Sequence, residues 1–269
     1  MGVIVAKEYT RDHPSPEYIE AVRLGRHYHE TKKVFTGKHS YQSYAILRKL
    51  CQTHGTKDIL DWGSGKNVHL QATDIRLLIN RDDEVKQVFS SWKSALGVDD
   101  IFPYDPCVAG HDVLPDRTFG GVMSVDVLQY IPTVDLTSWV LDTMFSFASQ
   151  WVYAVFPLYN GKKVLADGSN AHKTIQGLEW WVDLWVKTGR KYPDIVWETR
   201  MEIAQPPISH RRFCGKGEVW QEAAPWWRIW KPNQLLELTK KQREEMEMIA
   251  RSQHTPIPSP AFGENHSKQ

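Results

Sequence analysis

Residues 59–70, ILDWGSGKNVHL, place two glycines and a serine directly behind an apolar run that ends in an aspartate. A turn of this type lets backbone approach a nucleotide-like cofactor, or it simply reverses the chain between a strand and a helix. Dinucleotide binding calls for G-x-G-x-x-G, in which the glycines admit a pyrophosphate at a helix N-terminus. Here Gly63 and Gly65 are followed by Asn67 and Val68, with no third glycine. The phosphate loop G-x-x-x-x-G-K-[ST] fails as well: Lys66 follows Gly65, but Asn67 replaces the hydroxyl and the first glycine is misplaced. S-adenosylmethionine makes a different demand. Its amino-acid end carries no phosphate, and an acidic residue at the end of the first strand, the position of Asp61, can meet its ammonium group. Asn67 stands where a third glycine would, and asparagine is among the few side chains that tolerate positive φ.

A second group with chemistry is SNAHKT, residues 169–174. It follows the last parallel-type strand, on the carboxyl edge where open α/β sheets bind ligands. His172, with an ordinary pKa near 6.5, can serve as a general base, and Asn170 can orient an amide or a base edge of a substrate. The plainer alternative has Ser169 or Asn170 capping a turn while His172 packs. A metal site is not expected, because His27 and His29 are two residues apart, a poor helical pairing, and NAHK adds no ligand set. Eight of the twelve tryptophans fall between residues 180 and 230, with Arg211, Arg212, Lys216 and Arg228 among them. Aromatic faces beside cations suit stacking on a nucleobase, although large aromatics mostly serve cores.

The elements that must position these residues follow from periodicity. Helical spacing after Ser15 predicts a helix within residues 14–33, and a second is expected from Ser40 to Thr53, stopped by Gly55. KDILDWG reads as a buried strand, and a long helix is expected from Val68 to Leu96. Strands are expected at DDIFPYDP, at residues 119–128 and at WVYAVFPL, with a helix over 135–149 between the last two. After a polar loop come an aromatic helix, GLEWWVDLWVKTG, and late antiparallel strands from DIVWETRMEI to residue 230. Asn233 after Pro232 caps a charged helix, and the proline-containing tail lacks apolar periodicity. The expected class is α/β with a mostly parallel, Rossmann-like sheet. Its divisions are a helical cap at 1–56, the sheet domain at 57–232, a helix at 233–251 and a disordered tail at 252–269.

The chain has 269 residues with 41% hydrophobic content, enough for a substantial core. Its 33 basic and 32 acidic residues give a net charge of +1, so no global field draws nucleic acid or anionic membrane. No run approaches the roughly 20 apolar residues of a bilayer span, and the N-terminal apolar stretch is too short for a secretion signal. A cytoplasmic protein without membrane association is expected. Cys51, Cys107 and Cys214 lie far apart, which argues against a disulfide framework or a cysteine zinc site.

The order ILDWGSGKN, ALGVDDIFPYDP, FGGVMSVDVLQYIP and DGSNAHKTIQGLEWW resembles class I S-adenosylmethionine-dependent methyltransferases over about residues 35–185. It is most similar to a poorly characterised group from bacteria and their phages. The resemblance implies that Asp61, Gly63, Ser64 and Gly65 surround the methionine part of S-adenosylmethionine. It implies that Asp105 accepts hydrogen bonds from both ribose hydroxyls, and that Asp126 borders the reactive methyl. Read from their residues alone, Asp105 can instead cap the turn begun by Pro106, and Asp126 can start a helix. Only thirteen residues separate Asp105 from Phe119, so the part of the fold that carries the adenine contact is shortened. Asp112 is the candidate for that contact, and Tyr130 stands where many relatives have histidine. The methyl acceptor is unidentified, with a nucleobase, a nucleic acid or a small metabolite all open. Other chemistry on the same cofactor, or a non-catalytic module binding nucleic acid or protein, is the alternative.

Overall fold

The computed structural model describes residues 9–32, 35–78, 86–203 and 209–223. The chain divides into residues 1–230 and 231–269, and all of the second unit lies outside the described residues. The helix expected at 233–251 and the tail expected at 252–269 therefore fall beyond them, as do residues 224–230.

Ser15 starts the first helix, α1 (Pro16–Thr31). Its hydroxyl accepts from the Tyr18 amide at 3.0 Å, and Pro16 supplies a helical φ without an orphan N–H. A short 3-10 turn, Lys38–Ser43, leads into α2 (Tyr44–His54), which Gly55 ends in the left-handed conformation at φ 64°. Strand β1 (Asp58–Trp62) then delivers the chain to the glycine turn.

The sequence pattern from Val68 to Leu96 does not fold as one helix. A four-residue helix, α3 (Val68–Gln71), is followed by an antiparallel pair, β2 (Ile75–Leu78) and β3 (Lys86–Phe89), and by a short helix, α4 (Trp92–Leu96). Alternation decides against a helix here: Val88 is exposed while Phe89 is buried. A new helix start is written at Ser91, whose hydroxyl and that of Ser94 form a reciprocal capping box.

Strands β4 (Asp100–Tyr104), β5 (Phe119–Val125), β6 (Ala148–Pro157), β7 (Val196–Ile203), β8 (Ser209–Lys216) and β9 (Val219–Ala223) complete the main sheet. Its order is β4-β1-β5-β6-β7-β8-β9. The first five neighbours are parallel, and β8 and β9 close the sheet as an antiparallel hairpin. The fold is α/β with a mostly parallel seven-stranded sheet, an arrangement compatible with a Rossmann-like fold. Between β5 and β6 a helical segment runs through α5 (Thr133–Asp135), a π-helical turn (Leu136–Val140) and α6 (Leu141–Ser146). It ends three residues before the expected limit at 149, because Ala148 already pairs with Phe119 as strand. The aromatic stretch forms α7 (Leu178–Gly189), the crossover from β6 to β7.

Side-chain alternation splits the core across the sheet. Ile59, Met123, Trp151, Tyr153 and Val155 pack with α2 and α4 on one face. Leu60, Val122, Val152, Ala154 and Phe156 pack with α6 and α7 on the other. One buried carboxylate ties α1 to the second layer: Asp135 accepts from the Ser15 amide at 2.9 Å and from the Trp139 indole at 2.9 Å. Among the described residues, no helix is long and apolar enough to cross a membrane.

From β1 the chain runs to β4 on one side, and from β4 it crosses back over β1 to β5 on the other. The crevice at the carboxyl ends of β1 and β5 is therefore a topological switch point, the place where open α/β sheets bind ligands.

Candidate active site

The glycine turn sits at that switch point, and its backbone donors are all engaged. Gly63 and Ser64 amides donate to the Tyr104 carbonyl at 2.7 and 3.1 Å. Gly65 donates to Asp105 Oδ2 at 2.9 Å, Lys66 to the Phe35 carbonyl at 2.8 Å and Val68 to the Thr36 carbonyl at 3.0 Å. No fan of free N–H groups remains for a phosphate. The glycines are required by close packing. A Cβ on Gly63 (φ 81°) would lie 2.3 Å from the Val127 side chain, and one on Gly65 (φ 61°) would lie 2.3 Å from the Phe35 carbonyl oxygen. Residues 35–43 thus form a strap across the turn.

Acceptors, in contrast, are left over. The Ser64 hydroxyl and Asn67 Oδ1 are buried without a hydrogen-bond partner among the described residues. Asp61 Oδ2 accepts from His69 Nε2 at 2.8 Å, both side chains being almost wholly buried. That bond makes Nε2 the protonated nitrogen and leaves His69 Nδ1 a bare acceptor beneath Gly37, itself at φ 79°.

Asp105 acts as a clamp. Its Oδ1 accepts from the Cys107 amide at 2.8 Å and its Oδ2 from Gly65. Burial pushes its pKa up, and the two backbone hydrogen bonds oppose that shift. One lone pair per oxygen remains for a ligand. Asn67 Nδ2 lies 2.9 Å from a ring nitrogen of His111, which docks the 105–112 loop on the turn. Asp112 faces α1, where Arg26 reaches it at 3.2 Å and also donates to the Pro106 carbonyl at 2.9 Å.

The next strand end carries Asp126. It adopts left-handed backbone at φ 60°, its amide donates to the Val155 carbonyl at 2.7 Å, and its carboxylate meets His39 Nδ1. Non-glycine residues in that region are uncommon, yet three of the four in the described chain, Phe35, Asn67 and Asp126, border this crevice. Hydrogen bonding to Asp126 raises the His39 pKa. From the end of β7, Glu202 has its pKa raised first by burial and then by the charge of Asp126, while Arg200 lowers it. Lys163 lies over the Phe35 ring at 3.8 Å, and burial lowers its pKa.

His172 and Asn170 sit in the loop beyond β6. Asn170 Nδ2 donates to the Gly161 carbonyl at 2.7 Å and its Oδ1 accepts from the His172 amide at 2.9 Å. His172 Nδ1 is 2.6 Å from the Tyr159 carbonyl, so Nδ1 carries the proton and Nε2 the lone pair. Its ring meets Tyr130 edge-on at 5.1 Å, and burial lowers its pKa.

Asp61, Gly63, Ser64, Gly65 and Asp105 thus form one neighbourhood, and Asp126 and His172 flank a second, joined to the first through Val127 and the strap. His39, His69, Lys163 and Glu202 were not singled out by the sequence. They lie 87, 8, 37 and 76 residues from the aspartates they meet or face, Asp126 for all but His69, so no local spacing announces them. Of the tryptophans in the aromatic half, Trp181, Trp185 and Trp197 are fully buried in the core and Trp220 is exposed, while Trp226, Trp227, Arg228 and Trp230 lie outside the described residues. Among the described cations of β8, Arg211 pairs with Glu222 and Arg212 with Glu198. No protein-family model, curated protein or solved structure matches the chain.

Proposed function

We propose that the chain is an S-adenosylmethionine-dependent methyltransferase acting on an acceptor that binds at the carboxyl ends of β5, β6 and β7. One observation carries the reading. At the switch point the glycine turn has no spare donors for phosphate, yet it keeps buried unpartnered polar atoms, Ser64 Oγ, Asn67 Oδ1 and His69 Nδ1, beside the Asp61 carboxylate. Such a site favours a ligand that presents hydrogen-bond donors, as the ammonium and ribose hydroxyls of S-adenosylmethionine do. Asp61, Gly63, Ser64 and Gly65 would hold the amino-acid end, and Asp105 would share its remaining lone pairs with the ribose. Bound there, the cofactor supplies an electrophilic methyl group on a positively charged sulfur.

The chain contributes position and exclusion of water. Phe35 and the strap cover the turn, Asp126 and Val127 wall the crevice beyond β5, and Asn170 braces the loop that carries His172. Calorimetric titration with S-adenosylmethionine and S-adenosylhomocysteine tests the reading. Micromolar binding by the wild-type chain, weakened at least tenfold in a folded Asp105→Ala variant, is the expected result. Absence of binding at millimolar ligand overturns it and favours a non-catalytic module.

A further inference from the structure

We propose that the His39–Asp126 pair is the proton-accepting dyad of this site and that the acceptor is a group with a proton to lose, a hydroxyl, an amine or a ring N–H. The proposal rests on the methyltransferase reading and adds to it a residue and a substrate class.

Geometry separates His39 from the other histidines of the crevice. Its Nδ1 is held by the Asp126 carboxylate, its Nε2 has no partner among the described residues, and its side chain is 67% exposed. A carboxylate on one nitrogen orients the ring and stabilises the imidazolium formed at the other, which is how a histidine becomes an effective base. His172 is held only by a backbone carbonyl, and its Nε2 faces Gly161, where an added Cβ would come within 2.7 Å. His69 is buried beneath the strap.

Location adds a second, independent argument. Asp126 follows directly on β5 beside the glycine turn, since Val127 packs against Gly63, and it holds a left-handed backbone fixed by the Val155 carbonyl. His39 arrives on the same strap that covers Gly65 and His69. One short segment therefore closes over the turn and presents the base next to it. The charged groups that face His39 are Asp126 at the end of β5, Lys163 from the loop after β6 and Glu202 from β7, with Tyr159 beside Glu202.

In the step, the acceptor's O–H or N–H bond breaks and its proton passes to Nε2 of His39. The freed electron pair forms the bond to the methyl carbon, and the carbon–sulfur pair returns to sulfur, discharging the sulfonium. The imidazolium, held by Asp126, then gives its proton to water. Acceptors that need no deprotonation, such as carboxylates and tertiary amines, would gain nothing from the dyad.

The test uses the full chain with 15N-labelled histidine rings, titrated by NMR from pH 5 to 9 alone, with S-adenosylmethionine and with S-adenosylhomocysteine. The resonance lost in His39→Gln should titrate above the ordinary 6.5 in the free protein and move down in Asp126→Asn, since hydrogen bonding to Asp126 is what raises it. S-adenosylmethionine, with one more positive charge than S-adenosylhomocysteine, should lower that midpoint further than its product does. In a transfer assay with a panel of nucleosides, an oligonucleotide, a phenol and an amine, His39→Gln should slow methylation at least a hundredfold while leaving the Kd for S-adenosylmethionine within threefold. A midpoint indifferent to Asp126→Asn overturns the pair. A midpoint that responds to Asp126 but not to the cofactor's charge overturns its place beside the methyl, as does full transfer by His39→Gln. Failure of the wild-type chain to bind either ligand, with the Asp126 response intact, overturns the methyltransferase reading and with it the dyad's role.

Discussion

His29 and His39 show how environment alone assigns work to one residue type. His29 is buried against Phe35, their rings stacked at 4.8 Å, and burial lowers its pKa from 6.5 to about 4. The unfolded chain therefore binds a proton that the folded chain refuses, and stability falls as pH drops from 6.5 toward 4. His29→Phe keeps the stacking and removes that loss, so its Tm relative to wild type should be higher at pH 5 than at pH 8. His39 carries the opposite sign. Its folded pKa is raised, so the stability it gains from Asp126 is complete below the unfolded value and lost as pH rises through the folded one. His39→Gln should accordingly cost more Tm at pH 5 than at pH 9, and equal cost at both would remove the pairing from the account. Asp105 is the residue on which the turn most depends, because both its oxygens hold backbone amides. In Asp105→Asn the amide group opposes one of those N–H donors, and a loss of about 2 kcal/mol is expected from the cost of an unanswered buried donor. Urea denaturation reads it directly, and an unchanged midpoint would show the clamp to be dispensable.

Among the elements, the strap makes the clearest demand. Gly65 and Gly55 share left-handed backbone, at φ 61° and 64°, but an added Cβ meets the Phe35 carbonyl at the first and nothing within 4 Å at the second. Alanine at Gly55 should cost only the conformational penalty of about 1 kcal/mol. Alanine at Gly65 should cost that and displace the strap, moving the His39 titration toward its ordinary value. If the two variants behave alike, the strap does not rest on the turn. This contrast also marks what the sequence makes legible. A buried strand, two spaced glycines and an aspartate at the strand end are local features, so β1 and the turn are readable from ILDWGSG. The stretch from Val68 to Leu96 is not, since its apolar residues satisfy a helical spacing while the chain pairs Ile75 with Phe89 across an antiparallel ladder. Ser91 and Ser94, three apart before an apolar run, were the one signal of a helix starting late. The His39–Asp126 pair was illegible for a deeper reason: strand order alone brings residue 126 beside residue 39, and strand order is a property of the whole sheet.

At the scale of the whole molecule, little steers a ligand to the crevice at the switch point. Net charge is +1, and the described arginines of β8 are matched by glutamates, so neither ATP nor nucleic acid gains from a long-range field. Recognition must then come from the crevice itself, and that has a thermodynamic consequence. A ligand that binds only the folded chain raises its stability by about 2.7 kcal/mol at a hundred times its Kd. For a chain of this size, each kcal/mol moves Tm by roughly 2–4 °C. S-adenosylmethionine at that excess should therefore raise Tm by about 5–10 °C. NAD and ATP at the same concentration should leave it unchanged, because the amides of Gly63, Ser64, Gly65, Lys66 and Val68 are already bonded within the chain. Differential scanning fluorimetry separates the outcomes. A shift with ATP or NAD and none with S-adenosylmethionine would mean that the strap lifts to free Lys66 and Val68 for phosphate, and the donor-seeking character assigned to Ser64, Asn67 and Asp61 would be wrong.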